Sequence, residues 1–234
     1  MPHKYIAFDI ETAKVLPQDV HDLNQHRPLG IACCAAWCSD EQEPKVFYSK
    51  TADGTPAPQM TAQDLTALLS YLEDKAGAGY TLVTHNGLGF DFDILAEESG
   101  KVAACRKLAL GHVDIMYHFF CGKGFPVSLD AAARAIGLSK PADVDGALAP
   151  LLWQEQQHQK VLDYVAHDCR LTLDVAETSE QKGRITWITQ RGKKSSFELP
   201  SGWLTVEEAS ALPLPDTSWM DRPWPRSTFT HWLS

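Results

Sequence analysis

Lys4-Tyr-Ile-Ala-Phe-Asp-Ile-Glu-Thr12 is the stretch on which the fold turns. Ile6, Phe8 and Ile10 fall on one side of an extended chain, and Ala7, Asp9 and Glu11 fall on the other, which is the period of a β-strand. Two acids therefore leave one face of a strand whose opposite face is apolar. Like charges held that close are costly unless a cation sits between them, although an isolated Asp-x-Glu pair also fits a solvated strand face. Outward from this strand, Leu29 to Trp37 and Lys45 to Tyr48 are further apolar runs separated by turn residues such as Asp40 to Pro44, so an antiparallel three-stranded meander is expected. Thr61-Ala-Gln-Asp64 is an acidic variant of a capping box ahead of Leu65, Leu68, Leu69 and Leu72, and it predicts a helix ending near Gly77 to Gly79. Tyr80 to Thr84 then reads as a short buried strand, and a Gly-rich turn opens a helix over Asp91 to Glu98. This alternation implies an α/β sheet with its functional edge at strand ends.

Most of the chain from there to Gly183 carries apolar residues at helical spacing, near Val113 to Phe120, Leu129 to Ile136, Asp145 to Glu155 and Lys160 to Glu180. Arg184 to Thr189 and Ser196 to Leu199 flank the polar turn Gln190 to Lys194 as a hairpin would. The tail from Pro213 is rich in Pro and Trp and has no period.

With 234 residues, 44% of them hydrophobic, the chain can bury a full core. No run of 18 apolar residues and no basic-then-apolar leader is present, so a cytoplasmic protein without a membrane span is expected. Cys33, Cys34, Cys38, Cys105, Cys121 and Cys169 contain no Cys-x-x-Cys pair and read as reduced thiols. A net charge of −9 speaks against simple electrostatic binding of nucleic acid. The charge is uneven, however: 14 Lys+Arg face 25 Asp+Glu up to Gln181, against 7 and 5 beyond it. A metal-dependent enzyme also tolerates an acidic body, because its cations screen the carboxylates.

Two further groups of acids accompany the first pair. Thr84-His-Asn-Gly-Leu-Gly-Phe-Asp91 puts Asp91 where a strand passes into a helix, and Gly87 and Gly89 permit positive φ or close approach of a ligand. Capping of the helix by Asp91 or Asp93 accounts for this pattern equally well. In Asp163-Tyr-Val-Ala-His-Asp168, Tyr164 and Asp168 are four apart and share a helical face, which also fits an amphipathic helix with a packed Tyr and a solvated Asp.

In conjunction these motifs resemble the DEDD 3′-5′ exonuclease superfamily, through Phe8-Asp-Ile-Glu-Thr12, Asn86-Gly-Leu-Gly-Phe-Asp91 and Tyr164-Val-Ala-His-Asp168. The second motif is most similar to the proofreading type of family B DNA polymerases. Tyr164 stands four before Asp168, and position 163, where the other branch carries His, is Asp163, so the resemblance implies the Tyr branch. It implies a ribonuclease-H-like fold, a mixed five-stranded sheet flanked by helices, over residues 1–181, with residues 182–234 as a hairpin and tail packed on it. It also implies a stand-alone trimming enzyme or a subunit, not a polymerase, since no polymerase domain fits in the remaining length. The implied reaction is hydrolysis at the 3′ end of DNA, preferably single-stranded, by two Mg²⁺ or Mn²⁺ ions about 3.5–4 Å apart. Asp9 would bridge the ions, Glu11 and Asp168 would complete the nucleophile-side ion, and Asp91 would hold the second. Tyr164 would orient the attacking water, and Thr12, Asn86 and Phe90 would meet the terminal nucleotide. His167 lies on another helix face and is expected to be incidental. Arg191, Lys193 and Lys194, with Lys182, Arg184 and a stacking Trp187, either track the substrate backbone or form a solvated hairpin tip. The alternatives are an exoribonuclease with the same site and an inactive nucleic-acid-binding scaffold.

Overall fold

The computed structural model describes residues 3–17, 20, 22–140 and 146–233. The opening stretch is β1 (Tyr5–Thr12), followed by β2 (Ile31–Cys38) and β3 (Lys45–Phe47). β2 runs antiparallel to both of its neighbours, so the expected meander forms. The helix α1 (Ala62–Gly77) starts where Thr61 accepts the Asp64 N–H. It crosses back to β4 (Thr81–Thr84), which lies parallel to β1. Two helices follow, α2 (Asp91–Ser99) and α3 (Val102–Gly111), and then β5 (Val113–Asp114), parallel to β4. The sheet order is β3-β2-β1-β4-β5, which is the mixed five-stranded sheet the sequence implied.

The helices α4 (Ile115–Lys123), α5 (Leu129–Ala135), α6 (Ala149–Gln154) and α7 (His158–Lys182) come next. The apolar spacing from Val113 to Phe120 predicts one continuous helix. In the structure the first two of those residues extend the sheet, because a buried edge strand this short has no period of its own. The expected helix start at Asp145 lies outside the described residues. An antiparallel hairpin of β6 (Arg184–Ile188) and β7 (Lys194–Glu198) precedes two short helices, α8 (Val206–Ser210) and α9 (Ser227–Thr230).

Both faces of the sheet are covered. Ile6, Phe8 and Ile10 enter a core shared with α1, α2 and α3, while Tyr5 and Ala7 enter a second core shared with α5, α6, α7 and the hairpin. The alternation in β1 therefore separates two apolar layers, and Asp9 and Glu11 sit on the side packed by α7. No helix among the described residues is long and apolar enough to cross a membrane.

Candidate active site

The strand β1 fixes the first two acids. Across the ladder Asp9 faces Ala35 and Glu11 faces Cys33, small neighbours that leave room in front of both carboxylates. Glu11 is buried and Asp9 partly so.

Asp91 arrives from the end of β4. β4 pairs with β1 only as far as Ala7, so the Ile10 N–H has no strand partner on that side, and the Asp91 carboxylate accepts it at 2.9 Å. Asp91 is thus tied to the first motif and does not cap its own helix. Asp93 pairs instead with Arg27 and His231. The turn that delivers Asp91 is built without spare space. A Cβ at Gly87 would stand 2.4 Å from the Thr84 hydroxyl, so close approach is what the position requires, and the positive φ falls on Asn86, at 74°.

The long helix α7 brings in Asp168 and, one turn earlier, Tyr164, both buried. Cys169 Sγ lies 3.3 Å from the Ala35 carbonyl and locks the middle of α7 onto β2 beside Asp9. His167 turns away, its Nε2 3.2 Å from the Ser139 carbonyl.

The electrostatics follow from this convergence. Burial, and then the charges of Asp91, Glu11 and Asp168, push the Asp9 carboxyl well above the ordinary carboxylate range, with Lys140 pulling the other way. Burial raises Asp91 to about 7 against the stabilising Ile10 N–H. Burial, then the charge of Asp168, takes the Tyr164 phenol up to about 12, so it stays protonated at neutral pH.

Two site residues carried no signal readable in isolation. Lys140, from the irregular segment after α5, pairs with Asp168 and stands 3.3 Å from the Tyr164 hydroxyl. Burial works against its charge, but Asp168 and Tyr164 outweigh that and hold its pKa above the usual lysine value. Asp114 accepts the N–H groups of Asn86 at 3.0 Å, Leu88 at 2.8 Å and Tyr117 at 3.0 Å, which splints the turn that carries Asp91. An Asp just before the apolar run from Ile115 reads as a helix cap, and it is one; its hold on a loop 26 to 28 residues away is a tertiary fact. Of the other expected contacts, Phe90 is half-buried against the first core, and Thr12 is half-buried where the β1–β2 register shifts. Trp187 packs on Phe119 and Phe125 in the second core, which overturns its reading as an open stacking surface at the hairpin.

The donor set is chemically suited to a hard divalent cation, being carboxylate oxygen only. Asp168 Oδ1 is buried with no hydrogen-bond partner, as an oxygen reserved for an ion would be. Among the described residues no group of three or more His, Cys, Asp or Glu side chains is arranged to hold a metal ion; Asp168 turns its other oxygen to Lys140, and Asp91 one of its own to Ile10.

A mixed sheet of this order, packed by helices on both faces and lined with acids at the end of its central strands, is a ribonuclease-H-like architecture. Residues 6–179 match the RNase_H superfamily, and the chain belongs to it. In three dimensions it is similar to a family B DNA polymerase from the hyperthermophilic archaeon Pyrobaculum calidifontis, with a TM-score of 0.53 and 20% identity over 76% of this chain and 24% of that one. It is also similar to a structure described as an ExoI/SSB-Ct complex, with a TM-score of 0.39 and 15% identity over 84% of this chain and 52% of that one. The chain thus spans about a quarter of the first of these chains and half of the second, and at these identities the likeness concerns the fold alone. No curated protein sequence matches it.

Proposed function

We propose that the protein is a cytoplasmic 3′-5′ exonuclease of the Tyr branch of the DEDD superfamily, acting on the 3′ end of DNA and preferring single strands. Residues 1–181 form its catalytic domain, and 182–234 a hairpin and tail packed on it. The observation that carries this reading is the meeting of three distant segments: Asp91 accepts the Ile10 N–H between Asp9 and Glu11, and Cys169, next to Asp168, contacts Ala35 opposite Asp9. A buried cluster of four acids is a stability cost that a fold keeps for a use.

Asp9, Glu11, Asp91 and Asp168 are the residues that hold two divalent ions, Mg²⁺ or Mn²⁺. Bound there, such ions supply a hydroxide-like nucleophile and neutralise charge on the leaving 3′ oxygen. The chain supplies the positioning. Tyr164, protonated at working pH, offers its hydroxyl to the attacking water, and Lys140 keeps that hydroxyl and Asp168 in register. Asn86 and Phe90, on the splinted turn, and Thr12, at the end of β1, meet the terminal nucleotide.

The test is digestion of end-labelled single-stranded DNA, duplex DNA and RNA with Mg²⁺ or Mn²⁺, comparing wild type with Asp9→Ala and Asp168→Ala. Stepwise shortening from the 3′ end of the DNA strand, abolished in both variants, is the expected result. Near-normal turnover by either variant overturns the assignment, and preferential shortening of RNA moves the substrate to that polymer.

A further inference from the structure

Two segments of the chain carry cations and no acid, and the fold joins them. Residues 181–197 hold Lys182, Arg184, Arg191, Lys193 and Lys194, and residues 131–140 hold Arg134 and Lys140. Together they contain 7 of the chain's 21 Lys and Arg and none of its 30 Asp and Glu. α5 packs on β6, and Lys194 Nζ donates to the Ala135 carbonyl at 2.5 Å, so the hairpin turn closes on the C-terminal end of α5. Acids stand only at the margins: Glu198 faces Arg184 across the ladder, at the end of the hairpin away from the turn, and Asp130 is 3.7 Å from Arg134. The turn itself, where Arg191 and Lys193 are exposed, carries positive charge alone.

This strip ends in the candidate active site. Gly137, Leu138 and Ser139 lie exposed between Ala135 and Lys140. The Ser139 carbonyl is 3.2 Å from His167 Nε2, which holds the strip against α7 one residue before Asp168. Lys140 then meets Asp168 and Tyr164. From Ala135 to Lys140 the chain spans at most about 18 Å, the length of about five stacked nucleotides. Like charges gathered on one surface repel, and a protein with a net charge of −9 has acids enough to intersperse among them. Cations segregated beside a carboxylate cluster give a polyanion held at that cluster a favourable path away from it.

Building on the nuclease reading, we infer that the strip from Lys140 to the hairpin turn is a docking surface for the sugar-phosphate backbone of a nucleic-acid strand whose 3′ end lies at the acids. Phosphates about five nucleotides from that end meet Arg191 and Lys193. Contacts to phosphate carry no sequence information, so the surface selects for strand length over sequence.

Binding is measured apart from catalysis, by fluorescence anisotropy of labelled dT12 and dT3 over a range of salt, on full-length Asp9→Ala in EDTA. Arg191→Gln/Lys193→Gln is added at the exposed turn. The control is Lys101→Gln/Lys107→Gln, which removes the same charge from exposed positions at α3, on the other face of the sheet. The turn variant is expected to weaken dT12 by roughly 10-fold at low salt and to flatten the slope of log K against log salt by about 1.4, at ~0.7 per phosphate contact. Binding of dT3 and of the α3 control should not change, and Arg191→Lys/Lys193→Arg, which keeps the charge, should bind as the parent does. A slope unchanged by the turn variant, an equal loss in the α3 control, or no measurable dT12 binding overturns the surface, as does an oligoglutamate peptide that binds through the same two residues more tightly than dT12. Hydrolysis of p-nitrophenyl thymidylate, too short to reach the hairpin, by wild type but not Asp9→Ala tests the nuclease reading on its own, so the two fail separately.

Discussion

At Asp9 the surroundings work against ionisation: burial and three neighbouring carboxylates all favour the protonated form, and Lys140 alone opposes them. Removing the charge while keeping the shape relieves that conflict, so Asp9→Asn should melt higher than wild type in EDTA. The gain should be about 1–2 kcal/mol, a few degrees for a chain this size. Thermal denaturation without divalent ions reads this directly; a lower melting point would mean that Lys140 already compensates the charge. Tyr164→Phe removes one hydroxyl and no ligand, so it should lose about 10- to 100-fold in kcat while calorimetry shows Mn²⁺ binding unchanged. Undiminished turnover would reduce Tyr164 to packing. The positions of Asp9, Glu11, Tyr164 and Asp168 were legible in the sequence because a strand period of two and a helical spacing of four are local rules. Lys140 was not: a lone lysine in the sequence Ser-Lys-Pro acquires its partner only when α5 and α7 are brought together.

Among the elements, the turn between β4 and α2 depends most on a remote residue. Three backbone N–H groups end on the Asp114 carboxylate, and buried donors left without an acceptor each cost about 1–3 kcal/mol, less than additively. Asp114→Ala should therefore destabilise by about 3 kcal/mol or more and lower turnover, because Asp91 follows the turn; a variant with full activity per folded molecule would show that Asp91 is held by Ile10 alone. A second element-scale prediction concerns pH. His118 on α4 is buried, its Nδ1 takes the Leu204 N–H at 3.2 Å, and burial lowers its pKa to about 4 with Glu208 opposing. Since the folded value lies below the unfolded one near ~6.5, the imidazole's contribution is complete above that pH and drains away as the pH falls toward 4. About 3 kcal/mol should vanish over that window, and urea titrations of His118→Asn should show a flatter profile; an identical slope would exclude the group. β5 shows why part of the fold escaped sequence reading: two residues carry no period, yet their place at the sheet edge sets where Asp114 points.

Across the whole molecule, the segment with the least sequence pattern proves structurally specific. Arg226 donates to the carbonyls of Ser210, Leu212, Pro213 and Cys121, which ties the tail to α4 and α8. Beyond it Phe229 is 3% exposed, with its ring 5.5 Å from that of Tyr117 and 4.9 Å from that of Phe120. Trp232 then donates its indole N–H to the Leu88 carbonyl at 2.7 Å. The tail therefore ends on the turn that carries Asn86 and Asp91. The sequence carries no period here, because these contacts are made by single aromatic side chains spaced by loop geometry. If the tail only covered apolar surface, Phe229→Ala would cost stability and nothing else. If it also clamps the turn, the roughly 3–5 kcal/mol expected for emptying a buried phenylalanine site should be accompanied by a lower kcat at temperatures where the variant remains fully folded. The decisive comparison is turnover per folded molecule well below the melting point, with Leu214→Ala, 80% exposed on the same tail, as the control that should change neither quantity. A destabilised Phe229→Ala protein with wild-type kcat would assign the tail to cover; a parallel fall in both would make residues 226–233 a structural support of the acid cluster, although they contribute no acid to it.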